Sequence, residues 1–76
     1  MNNKRRKTIG LVINSLENLS ADLEDVAQEE SDAYENMPES IQQSDRGSNI
    51  EDNIYNLEDC ISQINDVIDT LSSMIE

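Results

Sequence analysis

Histidine, tryptophan and phenylalanine are missing from this chain, and cysteine and proline occur once each. Each absence removes a class of function or fold. Without histidine there is no Ser-His-Asp arrangement, no imidazole acid–base pair and no Glu-x-x-His metal motif. A single Cys60 forms no intrachain disulfide, and one unpaired thiol points to a reducing compartment. Cys60 has no histidine or basic neighbour in sequence to activate it, so it reads as a small core residue. The stretch Asp45-Arg46-Gly47-Ser48-Asn49 lacks the alternating acids and terminal Glu of a calcium loop. No enzyme, cofactor or metal site is therefore expected.

Turn residues are scarce as well: Gly occurs twice and Pro once among 76 residues, too few for a many-stranded fold. Tyr34 and Tyr55 are the only aromatics. The core must come from Ile, Leu, Val and Met, which suits helix seams. The chain makes one domain at most, residues 1–76, near the size where a single core barely offsets the entropy of ordering.

Basic residues are the next shortage, 5 against 17 acids, for a net charge of −12. Lys4, Arg5, Arg6 and Lys7 form one run, and Arg46 stands alone. From Thr8 onward the chain carries −16, a body that repels nucleic acid and anionic membrane and attracts basic protein surfaces. The apolar run after Lys7, Ile9 to Ile13, is shorter than a signal-peptide core of roughly 7–15 residues. No run approaches the roughly 18 apolar residues of a membrane span. A cytoplasmic protein is expected.

What is present is heptad periodicity. In the first half Ile9, Leu16, Leu23, Glu30 and Met37 recur at a, with Val12, Leu19, Val26 and Ala33 at d. Ile13, Ser20, Ala27 and Tyr34 lie at e and widen the stripe. This predicts a first helix over 9–36, reaching back to about Lys4, with 1–8 as a basic segment; Pro38 disfavours helical geometry at Met37. In the second half Ile54, Ile61, Ile68 and Ile75 occupy a, and Ile50, Leu57, Ile64 and Leu71 occupy d. Cys60, Val67 and Met74 widen that stripe at g. The predicted second helix spans 49–76, with Ser48 and Glu51 as a capping box and Gly47 at a chain reversal. Residues 37–48 form the loop, where Pro38 can open a short helical turn and Ile41 can dip back toward the core.

The expected fold is thus all-α: an antiparallel two-helix hairpin with Ile9 beside Met74/Ile75 and Met37 beside Ile50. The basic run then lies near Asp66, Asp69, Glu76 and the C-terminus of the second helix, a favourable place for cations. This structural reading outweighs a nucleic-acid or membrane contact on so acidic a body. A hairpin covers two rows of each helix, whereas each stripe has three. Two hairpins packed as a four-helix bundle or coiled coil would cover the rest, so a homodimer is expected, with Ile13, Tyr34, Cys60, Val67 and Met74 in its interface. Glu30, polar within the a row, either fixes register or sits where the bundle opens near Tyr34 and Asn53.

The acids also follow a pattern. Glu24-Asp25, Glu51-Asp52 and Glu58-Asp59 are adjacent pairs, and Asp52, Asp59 and Asp66 stand seven apart. Charge runs are usually just solvated faces. Here no lysine follows Lys7 to balance them at i, i+4, which makes Glu24, Asp25, Glu51, Asp52, Glu58, Asp59 and Asp66 candidate contacts for a basic protein partner. Leu11, Ile41 and Tyr55 fall outside the heptad stripes and are candidate apolar contacts.

The loop Tyr34-Glu35-Asn36-Met37-Pro38-Glu39-Ser40-Ile41-Gln42, followed by Ser44-Asp45-Arg46-Gly47, resembles that of small acidic helical proteins of phages and mobile elements of Gram-positive bacteria. That group shares a Tyr/Phe-x-Asn-Met-Pro-x-x-x-Gln loop and a Ser-x-Arg-Gly turn between two helices. The resemblance implies a bacterial host cytoplasm and a phage-type setting, where small acidic helical proteins act as inhibitors of host or defence machinery. It carries no activity of its own. The function expected is a non-enzymatic acidic binding module placed on a basic, nucleic-acid-binding site; the alternative is a dimeric helical spacer or assembly factor whose charge serves solubility.

Overall fold

The computed structural model covers residues 1–76 and contains three helices: α1 (Asn3–Glu35), α2 (Glu39–Gln42) and α3 (Asp45–Ile75). The two long helices pack together as an all-helical hairpin, a rod of 58 × 14 × 13 Å. No helix is long and apolar enough to cross a membrane.

Helix α1 begins earlier than the heptads alone indicate because Asn2 caps it: its side-chain Oδ1 accepts the Arg5 backbone N–H at 2.9 Å. The basic segment is therefore helical, not a tail. Helix α1 ends where expected, with the Asn36 N–H bonded back to the Asp32 carbonyl and the Met37 N–H to that of Tyr34, ahead of Pro38. Pro38 then stands just before the four-residue turn α2, whose Ile41 and Gln42 N–H groups bond to the Pro38 carbonyl. Ile41 stays at the surface and does not return to the core. Gln42 does turn back, donating from Nε2 to the Tyr34 carbonyl at 2.9 Å.

The capping box at Ser48 is not used. Helix α3 starts four residues sooner, after Ser44, and the Ser48 N–H already bonds to the Ser44 carbonyl. Gly47 consequently makes no chain reversal. It lies buried in the first turn of α3, where a Cβ would come within 2.1 Å of the Gln42 carbonyl oxygen. Only glycine lets α2 fold so closely against the start of α3.

The register is antiparallel as expected: Ser20 Oγ donates to Asn65 Oδ1 at 3.3 Å, and the Tyr34 hydroxyl donates to the Glu51 carboxylate. Gly10 and Ile13 line one depression with Ser72 and Ile75. The rows that meet differ from expectation on one side. Helix α3 turns its a and d rows inward, and all eight of those residues are half-buried. Helix α1 uses its a and e rows. Ile13 (7% exposed), Ser20 (5%) and Ala27 (9%) are its buried residues, while Val12, Leu19 and Val26 of the d row lie 43–54% exposed. Small side chains at Ser20 and Ala27 let the helices close up. The pairs Ser20–Asn65 and Tyr34–Glu51 then hold α1 rotated toward its e row, since each polar group would otherwise lose its partner.

Candidate functional site

The rotation of α1 divides the rod into two unlike faces. On one, Leu16 and Leu23 line a shallow groove with Cys60, Gln63, Ile64 and Val67. Val12, Leu19 and Val26 stand three or four residues from Leu16 and Leu23, hence next to them on the helix surface. With Ser20 level with Asn65, the register sets Val12 beside Met74, Leu19 beside Val67 and Val26 beside Cys60. All six side chains are exposed. This face carries three apolar layers open to water.

The opposite face is acidic. Its groove is lined by Glu24, Gln28 and Ser31 of α1 and by Glu58 and Ile61 of α3, with Ala27 at the floor. Toward the closed end Glu51 continues the row beside Tyr34, Ile54, Tyr55 and Glu58. Glu17, one heptad before Glu24, extends it the other way. The Glu51 carboxylate is engaged: the bond it accepts holds the Tyr34 phenol above its ordinary value of 10.0, helped by burial and by the negative charges nearby.

The candidate acidic contacts are therefore not on one surface. Glu24, Glu51 and Glu58 face the groove. Asp52, Asp59 and Asp66 are exposed on the ridge of α3 that points away from α1, and Asp25 lies on the outer ridge of α1, at the other edge of the rod. The candidate dimer contacts also separate. Ile13 and Tyr34 belong to the seam inside the hairpin, with Ile13 buried there and Tyr34 bonded across it, so they have little surface to offer a second copy. Cys60, Val67 and Met74 remain exposed, Cys60 as a free thiol. Leu11, Tyr55 and Ile41 are exposed as the heptads indicate, but scattered: Leu11 stands on the outer side of α1, Tyr55 by the acidic groove and Ile41 in α2.

Sequence reasoning missed the row that matters most. The heptads place Val12, Leu19 and Val26 in the seam, whereas Ile13, Ser20 and Ala27 of the e row occupy it, with Ser20 level with Asn65. Glu30 sits half-buried on the apolar side of the seam, in the a row with Leu16 and Leu23. Lys4 to Lys7 extend past the end of α3 and do not lie beside Asp66 and Asp69 as expected: Asn65 is level with Ser20 and Ile75 with Gly10, and Lys7 lines a depression with Ile75. No three acidic or thiol side chains gather closely enough to hold a metal ion. In comparison with known proteins, the chain matches no family model, no curated protein and no solved structure.

Proposed function

We propose that this chain is a non-enzymatic, acidic protein-binding module that works as a homodimer and occupies a basic, normally nucleic-acid-binding site on another protein. The observation that carries this reading is a straight rod 58 Å long whose acids lie exposed on both outer ridges and along one groove, with Arg46 the sole cation after Lys7. High linear charge on a rigid frame is what a basic cleft built for nucleic acid recognises. The Asp52, Asp59, Asp66 ridge repeats about every 10.5 Å, and neighbours such as Glu58-Asp59 narrow the gap to the closer phosphate spacing. With a net charge of −12 the protein does not bind nucleic acid itself. The resemblance of its loop supports a phage-type setting in a bacterial cytoplasm for this reading, with the protein an inhibitor of a host or defence protein.

The test is competition. A partner captured from the bacterial host should lose its DNA or RNA as this protein is added, and the effect should weaken steeply with salt. Charge reversal at Asp52, Glu58, Asp59 and Asp66 should cost far more affinity than changes at the polar Gln63 and Ser72. Undisturbed binding after those reversals, or nucleic acid bound alongside, would overturn the mimic. The exposed apolar rows favour a second reading, a dimeric spacer or assembly factor in which charge only maintains solubility. Salt-insensitive partner binding is its mark.

A further inference from the structure

We infer that the second copy packs on the face of Val12, Leu19, Val26, Cys60, Val67 and Met74, with the two hairpin loops at opposite ends and Arg5 of each copy against Glu30 of the other. This rests on the homodimer of the proposed function and adds its face, its symmetry and its polar anchor.

Three observations argue for the occupant. The first is the seam itself. A hairpin built to stand alone would bury Val12, Leu19 and Val26 and leave Ser20 and Ala27 outside. The reverse is found, and only Ile13 and Ala27 among the apolar side chains are buried. Such a core is small for 76 residues, and a second copy on the exposed rows supplies what the seam omits. The second is area. From Arg5 to Ala33 the face runs about 42 Å along the helix and 14 Å across, about 600 Å² for each copy, the lower bound of what a stable interface buries. The third is symmetry. The layers Val12/Met74 and Val26/Cys60 lie one heptad to either side of Leu19/Val67, so a twofold axis through the middle layer superimposes apolar on apolar. A self-complementary patch is what a twofold interface requires.

Charge decides the direction. Arg5 continues the d row one heptad before Val12, and Ala33 continues it one heptad after Val26. Both stand two heptads from Leu19, so an axis crossing the rod at Leu19 brings Arg5 level with Ala33 of the second copy. Glu30 is one turn from Ala33 on the same side of α1, with Glu29 and Asp32 nearby. The exposed basic run, at a helix N-terminus whose first turn holds no acid and where cations are disfavoured, then meets the acidic closed end of its neighbour. An axis running along the rods would instead gather both basic runs at one end and both acidic ends at the other, which is repulsive at each. The same pairing explains why a carboxylate interrupts the a row at Glu30.

The experiment uses the full chain. Light scattering at tens of micromolar should give twice the 8.6 kDa chain mass. L19E should give a monomer that stays helical, because Leu19 is already exposed in the hairpin. In a C60S background, V12C mixed and exchanged with V26C should join through a short bis-maleimide, L19C should join to itself, and V12C alone should not. R5E and E30R should each weaken dimerisation about fivefold, and the double variant R5E/E30R should recover it. A monomeric wild type overturns the dimer, and a dimeric L19E overturns the face. Self-linking of V12C, or no link between V12C and V26C, overturns the opposed loops; unchanged affinity in R5E and E30R overturns the anchor. Partner competition is read separately, so a monomer that still competes with nucleic acid would sink this inference and leave the acidic module standing.

Discussion

Along one side of the rod Val12, Leu19 and Val26 lie level with Met74, Val67 and Cys60, all exposed; along the other Glu24, Gln28 and Ser31 face Glu58, with Glu51 further on. Both faces belong to the same two helices and flank the same seam. They differ because α1 is rotated toward its Ser20 and Ala27 row, which draws apolar surface away from the seam on one side and leaves it uncovered. An apolar face on a body of such charge is not explained by solubility. The acidic face needs no cover, since water serves it well; the apolar face gains from a second protein surface. The lesson is that heptad stripes three rows wide contain a choice, and here small side chains and polar contacts go together with the e row.

The sharpest way to break this contrast is to change one charge on each side. V67E should weaken self-association by about a hundredfold or more, whereas E58Q on the acidic side should leave the mass from light scattering unchanged. A dimer indifferent to V67E would make the two faces equivalent. The seam offers the next largest effect. A27L forces an extra side chain between the helices and should lower unfolding stability by about 2 kcal/mol in urea melts at fixed protein concentration. Its neighbour V26L, on the open face, should leave hairpin stability within about 0.5 kcal/mol.

The closed end tests how closely α2 packs against α3. G47A should destabilise by about 1–3 kcal/mol because the new methyl meets the Gln42 backbone. Gly10, with open space around its Cα, gives the opposite sign: G10A should raise stability by about 0.5–1 kcal/mol through helix propensity. Thermal melts monitored by circular dichroism compare the two directly.

The smallest effect is that of the Tyr34–Glu51 bond. Y34F should lower the melting temperature, by less than A27L does. The folded phenol holds its proton above the ordinary value of 10.0, so its contribution is whole below that pH. It drains away as pH rises through the folded value, because the unfolded chain gives up the proton first. An ultraviolet titration of Y55F, in which Tyr34 is the only phenol, should show the late midpoint, and the midpoint should fall in Y55F/E51Q.

Much of this molecule is legible in its composition and spacing. Ile50 to Ile75 in alternating steps of four and three dictate α3 and its inward face, because no other regular structure buries such a pattern. Pro38 after Met37 marks the end of α1 for steric reasons, and the shortage of Gly and of aromatics excludes a sheet protein. The antiparallel register follows from a single loop between two helices of similar length. The start of α3 was less legible: Ser48 and Glu51 have capping-box spacing, but Gly47 accepts helical geometry once α2 packs against it, and the helix runs back to Asp45. The rotation of α1 was not legible at all from periodicity, since the a row pairs equally well with d or e.

By itself, then, the sequence determined an all-helical hairpin, its length, its charge and the absence of histidine chemistry, because these depend on local propensity and on which residue types exist in the chain. Only the tertiary structure decided which side of each helix the hairpin consumes. That choice turns on contacts between residues far apart in sequence, Ser20 with Asn65 and Tyr34 with Glu51, and it leaves Val12, Leu19 and Val26 outside the seam.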